Sequence, residues 1–76
     1  MIFHTANSTY ELDQNNNRIR RLTGKRDPSP RQSKDGEWRQ FEFCSEVVKD
    51  RGVLIHWGDE KCTMTSVVVS VDPPMN

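Results

Sequence analysis

Apolar residues in this chain recur at two-residue spacing in short runs, and no segment holds a 3.6-residue period for ten residues. In STYELD, Tyr10 and Leu12 fall on one side and Thr9 and Glu11 on the other, the mark of a half-buried strand. QNNN follows, and because asparagine tolerates positive φ it predicts a hairpin loop. RIRRLTG sets Ile19 and Leu22 three apart, which breaks strict alternation and predicts a bulge before Gly24. EWRQFEF resumes the alternation, with Phe41 and Phe43 on one face and Trp38, Gln40 and Glu42 on the other. SEVVKDRG reads as a connection ending in a turn. VLIHW then groups Val53, Ile55 and Trp57 against Leu54 and His56, and GDEK predicts a tight hairpin turn.

The longest strand-like run is KCTMTSVVVSV, Lys61 to Val71. Read as one strand, it puts Thr63, Thr65, Val67, Val69 and Val71 on one face and Cys62, Met64, Ser66, Val68 and Ser70 on the other. Neither face is purely polar, which predicts a strand that is central or covered on both sides. Val68 is expected in the core, and Val67, Val69 and Val71 are left as an interface for a partner. At a sheet edge that face can pair with a symmetry mate in a C2 homodimer. Pro73 and Pro74 stop the strand.

These patterns predict an all-β fold with little or no helix. The expected form is a small antiparallel barrel or strongly twisted sheet of about four to six short strands, of SH3-like size. The expected core is Tyr10, Leu12, Ile19, Leu22, Phe41, Phe43, Val53, Ile55, Trp57 and Val68. Seventy-six residues, a third of them hydrophobic, make a single domain over 1–76 with a thin core.

Between those strands, 25–36 (KRDPSPRQSKDG) holds no apolar residue except its two prolines and predicts a long polar basic loop. Charge is unevenly laid out around it. From Asn17 to Arg39 there are eight basic residues against three acidic ones, and the remainder holds three basic against eight acidic. Arginine outnumbers lysine in that segment by six to two, and its planar fork suits phosphate and carboxylate. Arg20, Arg21, Lys25, Arg26 and Arg31 are therefore candidate anion-binding residues, with exposed side chains expected for Arg20, Arg21 and Arg26. Trp38 is a candidate stacking surface. The competing reading is a solvated loop and hairpin face. A net charge of zero argues against duplex nucleic acid, which rewards many phosphate contacts.

Catalytic chemistry finds little to work with. His4 and His56 with Cys44 and Cys62 match no zinc-ligand spacing, so no metal and no cofactor are expected. No glycine-rich phosphate loop or triad is visible, and the chain reads as a non-enzyme. Cys44 and Cys62 are expected as small buried thiols. MIFHTANSTYELD has neither a basic stretch nor a long apolar one, so no secretory leader or membrane span is expected, and the location expected is cytoplasmic.

Taken together, HTANSTYELD, RIRRLTG, DPSPRQSKDGEWRQF and TMTSVVVSV resemble a group of short proteins encoded by actinobacterial bacteriophages (mycobacteriophage-like). The resemblance implies a phage product acting in the cytoplasm of the infected host cell. It carries no activity and no binding residue onto this chain. The function expected from it is an accessory role, binding or inhibiting a host protein in host takeover or counter-defence. A binder of a small anionic ligand or nucleotide signal, and a minor virion structural protein, stand as alternatives.

Overall fold

The structure, a computed structural model, describes residues 1–24 and 35–72. The loop expected over 25–36 lies outside the described residues apart from Asp35 and Gly36, and Lys25, Arg26 and Arg31 lie outside them with it. The protein is all-β. Among the described residues, eight strands form two antiparallel sheets that do not close into a barrel. They are β1 (Ile2–Thr5), β2 (Ser8–Asp13), β3 (Arg18–Gly24), β4 (Arg39–Gln40), β5 (Phe43–Cys44), β6 (Leu54–Gly58), β7 (Lys61–Met64) and β8 (Val68–Asp72). One sheet runs β4-β3-β2-β1-β8 and the other β5-β6-β7.

Each turn has a visible chemical cause. The Thr5 hydroxyl accepts the N–H groups of Asn7 and Ser8 and donates to the Ser8 carbonyl, closing β1 onto β2. Gln14–Asn16 forms a single 3-10 turn, and Asn17 leaves it at φ 52°, the left-handed geometry asparagine tolerates. Asp59 and Glu60 both take positive φ, 53° and 64°, as a two-residue turn between twisted strands requires. In the β2–β3 ladder Thr9 faces Thr23 and Tyr10 faces Arg21, so Leu22 is the extra residue of the expected bulge.

The core is shared by both sheets. Phe3, Tyr10, Leu12 and Ile19 come from β1 to β3, Ile55 from β6 and Val68 from β8, with Phe41, Val47 and Val53 from the connections. Phe3 stacks on Tyr10 with ring centroids 5.1 Å apart. Burying a side chain such as Phe3 or Ile55 stabilises the fold by about 1.5–3 kcal/mol, so this small set carries most of the hydrophobic drive.

Three expectations need correction. First, KCTMTSVVVSV is two strands, β7 and β8, in different sheets. The crossover falls at Thr65, which is buried. Its hydroxyl accepts the Val53 N–H at 2.9 Å and donates to the Ser66 carbonyl at 2.8 Å. A buried threonine can satisfy a backbone group where a ladder is interrupted, and alternation carries no trace of that. Val68 is core, Val67 and Val69 are about half exposed, and Val71 packs partly against the core.

Second, EWRQFEF also changes sheets. The Phe41 N–H donates to the Asn17 carbonyl beside the first sheet, and the Glu42 N–H donates to the His56 carbonyl of the second. Phe41 is buried but Phe43 is 54% exposed. Third, Leu22 and Trp57 are only partly buried: each is the extra residue at a bulge, and the Trp57 indole N–H donates to the Thr63 hydroxyl at 2.8 Å. The strand Ile2–Thr5, too short for alternation to mark, lies between β2 and β8 and supplies Phe3.

Candidate functional site

The two outward faces of this protein are chemically opposite. On the five-stranded sheet, register sets Glu11 beside Arg20 and Asp13 beside Arg18. Arg20 reaches Glu11 at 2.6 Å and Arg18 reaches Asp13 at 3.0 Å. Both guanidinium carbons also lie within 4.5 Å of the Trp38 ring centroid. The antiparallel hairpin thus interleaves charges that the linear sequence segregates, and the local positive field is largely cancelled. The Asp13 carboxyl titrates below its ordinary range, first because Asn16 hydrogen-bonds to it and then because Arg18 does.

Arg21 points the other way. Its side chain is only 7% exposed, with Nε 2.8 Å from Asp35 Oδ1, an ion pair by distance whose angle falls short of a hydrogen bond. The expectation of an exposed Arg21 is therefore overturned: Ile19 and Arg21 share the inward face of β3, while Arg18 and Arg20 share the outward one. Reversing Arg21 to glutamate would set two carboxylates together at a buried position and disturb folding, not only binding. Of the arginine candidates within the described residues, Arg20 alone is placed outward, and it is engaged by Glu11 and Trp38. A shallow polar depression of about 440 Å³ beside it is lined by Asn16, Arg18, Trp38 and Gln40.

The three-stranded sheet presents a different surface. Register aligns Phe43, His56 and Cys62 in one cross-strand row and Leu54 with Met64 in the next. Side chains two residues apart on a strand share a face, so these five form its outer surface. The inner surface holds Ile55, fully buried, with Cys44 and Thr63 in the same row. Phe43 is 54% and Met64 62% exposed, Cys62 is exposed, and Leu54 and His56 are half-buried. The His56 ring meets Phe43 edge-on at 5.8 Å between centroids. Gly52 makes room for Met64, since a Cβ there would stand 2.9 Å from the Met64 sulfur and 2.7 Å from the Thr65 carbonyl oxygen.

An antiparallel sheet with one face on the core ordinarily turns polar residues to water, as the five-stranded sheet does. Here the outer face carries four nonpolar side chains and one histidine, with no Asp, Glu, Lys or Arg among them. Clustered exposed apolar residues of this kind mark contact surfaces. The sequence hinted at it only in VLIHW, where Leu54 and His56 were assigned opposite the core. Phe43 leaves the face of Phe41 because the chain changes sheets at Phe41–Glu42, which alternation does not show.

Cys44 and Cys62 lie on opposite sides of this sheet and are not joined. Burial pushes the Cys44 thiol up to about 11. Cys62, expected to be buried, is exposed because β7 turns it outward. Among the described residues, no group of three or more His, Cys, Asp and Glu is placed to hold a metal ion, and no helix is long and apolar enough to cross a membrane. Comparison with protein-family models, curated proteins and solved structures returns no match.

Proposed function

We propose that this protein is a non-enzymatic binding module that docks a protein partner through the outer face of its three-stranded sheet. The observation that carries the reading is the absence of Asp, Glu, Lys and Arg among Phe43, Leu54, His56, Cys62 and Met64, set against the outer face of the other sheet, where Glu11, Asp13, Arg18 and Arg20 stand. Burying such a face costs no ion desolvation and gains about 25 cal/mol per Å² of apolar surface removed from water. Aromatic and methionine side chains are the types enriched where proteins meet. A nucleotide or other small anion would find no arginine or lysine among these five side chains. The resemblance to phage proteins supplies the context: the partner is a host component, bound or inhibited during infection.

The test is capture from host lysate with three immobilised proteins: wild type, Phe43→Ser/Met64→Ser, and Arg20→Glu. The reading requires a specific partner held by wild type and by Arg20→Glu and lost from the double variant. A partner lost from Arg20→Glu alone would favour the anion-binding surface instead. Light scattering on the same proteins separates a host partner from self-association. A wild-type dimer abolished by Phe43→Ser/Met64→Ser would mean that a second copy covers the face.

A further inference from the structure

A second surface, independent of the one above, lies at the far end of the five-stranded sheet. There, among the described residues, β8 has β1 on one side and no strand on the other. Beside that edge runs a groove of about 630 Å³, floored by the buried Val47 and flanked by Val48, Val69 and Val71. Among the described residues, the edge is closed at its Val68 end. The Val68 N–H donates to the Arg51 carbonyl, and the Val68 carbonyl accepts the Asp50 N–H. Beyond a bulge at Val69, Ser70 to Asp72 have, among the described residues, a strand neighbour on the β1 side alone, and alternate residues of a regular strand direct their N–H and C=O groups to each edge. An open edge is a template for another strand unless something guards it. Bulges, inward charges, proline and covering loops guard such edges; here a bulge at Val69 and the Asp50–Arg51 segment protect the Val68 end, while Val69 is 48% exposed and Ser70 to Asp72 have no strand beside them among the described residues.

We infer that the β8 edge and its groove receive an extended peptide segment of a partner, added as a sixth strand to the five-stranded sheet. Two features choose this occupant over a second copy. The open stretch from Val69 to Asp72 is short, and the Asp50–Arg51 segment blocks it at Val68. Two copies paired antiparallel through so short a stretch would bury far less than the roughly 800 Å² per partner that stable interfaces need. A peptide can instead lie down the groove and touch both β8 and the Val47–Val48 wall. The ionisable groups lining the groove are Glu46, Lys49 and Asp72, two acids against one base. Charge complementarity therefore specifies a segment with β-branched residues at alternate positions and a basic residue at its ends.

The probe is an acetylated, amidated peptide of sequence KVTVTK, titrated into 15N-labelled protein. Two controls, KVTPTK and EVTVTE, remove an edge hydrogen bond and reverse the end charges. Weak binding, with a dissociation constant of about 1 mM or below, is expected for so small a ligand. Shifts are expected at Ser70, Val71 and Asp72, with slowed hydrogen exchange at those whose N–H faces the open edge. The proline peptide should bind at least tenfold more weakly, and the acidic peptide several-fold more weakly. Three results would each overturn the inference: no perturbation of these amides, equal binding of the proline peptide, or concentration-dependent protection of the same amides without peptide, which would assign the edge to a second copy. Shifts confined to Leu54, His56 and Met64 would also reject it while leaving the other surface standing.

Discussion

Phe41 and Phe43 stand two residues apart and face opposite fates: Phe41 is 7% exposed in the shared core, and Phe43 is 54% exposed on the outside of the three-stranded sheet. The peptide between them moves the chain from one sheet to the other, so the two-residue rule that would align them does not apply. Phe41→Ala should cost about 3–5 kcal/mol, as large-to-small core changes do. Phe43→Ala should move stability by no more than about 0.5 kcal/mol. Urea unfolding of both variants checks the assignment, and equal losses would place both rings in the core.

Thr65 holds the second change of sheet. Thr65→Val keeps the shape but removes the acceptor for the buried Val53 N–H, and should cost about 1–3 kcal/mol. Thr65→Ser retains the hydroxyl and should recover most of that loss. If valine and serine behave alike in urea unfolding, the hydroxyl is not what holds the crossover.

The reach of the sequence follows from these two residues. Alternation revealed the all-β class, the β2–β3 hairpin, its bulge and the tight turn at Asp59–Glu60, because each depends on neighbours in sequence. It could not reveal where a run leaves one sheet for another. That depends on distant groups: the Asn17 and His56 carbonyls for Phe41–Glu42, and the Val53 backbone for Thr65. The outer face of the three-stranded sheet suffered most: Phe43 reaches it only after the change at Phe41–Glu42, and Met64 is freed from the face of Val68 only by the change at Thr65. The arginine cluster misled for a related reason. Its charge was read along the chain, whereas β2 sets Glu11 and Asp13 directly beside Arg20 and Arg18.

Acid should expose that pairing. Asp13 in the folded protein titrates below its ordinary value of 3.8, so its contribution to stability is fully present above that value and is lost as pH falls through the folded-state value. Unfolding midpoints should therefore drop as the solution is acidified below about pH 4. Asp13→Asn should start less stable at neutral pH and lose less on acidification. A variant profile parallel to wild type would show that the Asn16 and Arg18 contacts do not act on this carboxyl.

The two cysteines should separate under alkylation. With its thiol pushed up to about 11 and its side turned to the core, Cys44 holds only about a thousandth of its population as thiolate at pH 8. Iodoacetamide should label the exposed Cys62 in the native protein and Cys44 only after unfolding. Mass spectrometry of the labelled peptides reads both sites. Equal native rates would contradict the two-faced arrangement of the sheet.

Cys62 sits in the same row as Phe43 and His56, within the face proposed to meet the partner. Its alkylation rate, measured with and without the captured partner at saturation, is therefore the most direct report on that face. The account predicts that labelling of Cys62 slows at least tenfold in the complex and returns to the rate of the isolated protein when Phe43→Ser/Met64→Ser prevents binding. An unchanged Cys62 rate in a fully formed complex would contradict it, and the partner would then be bound elsewhere.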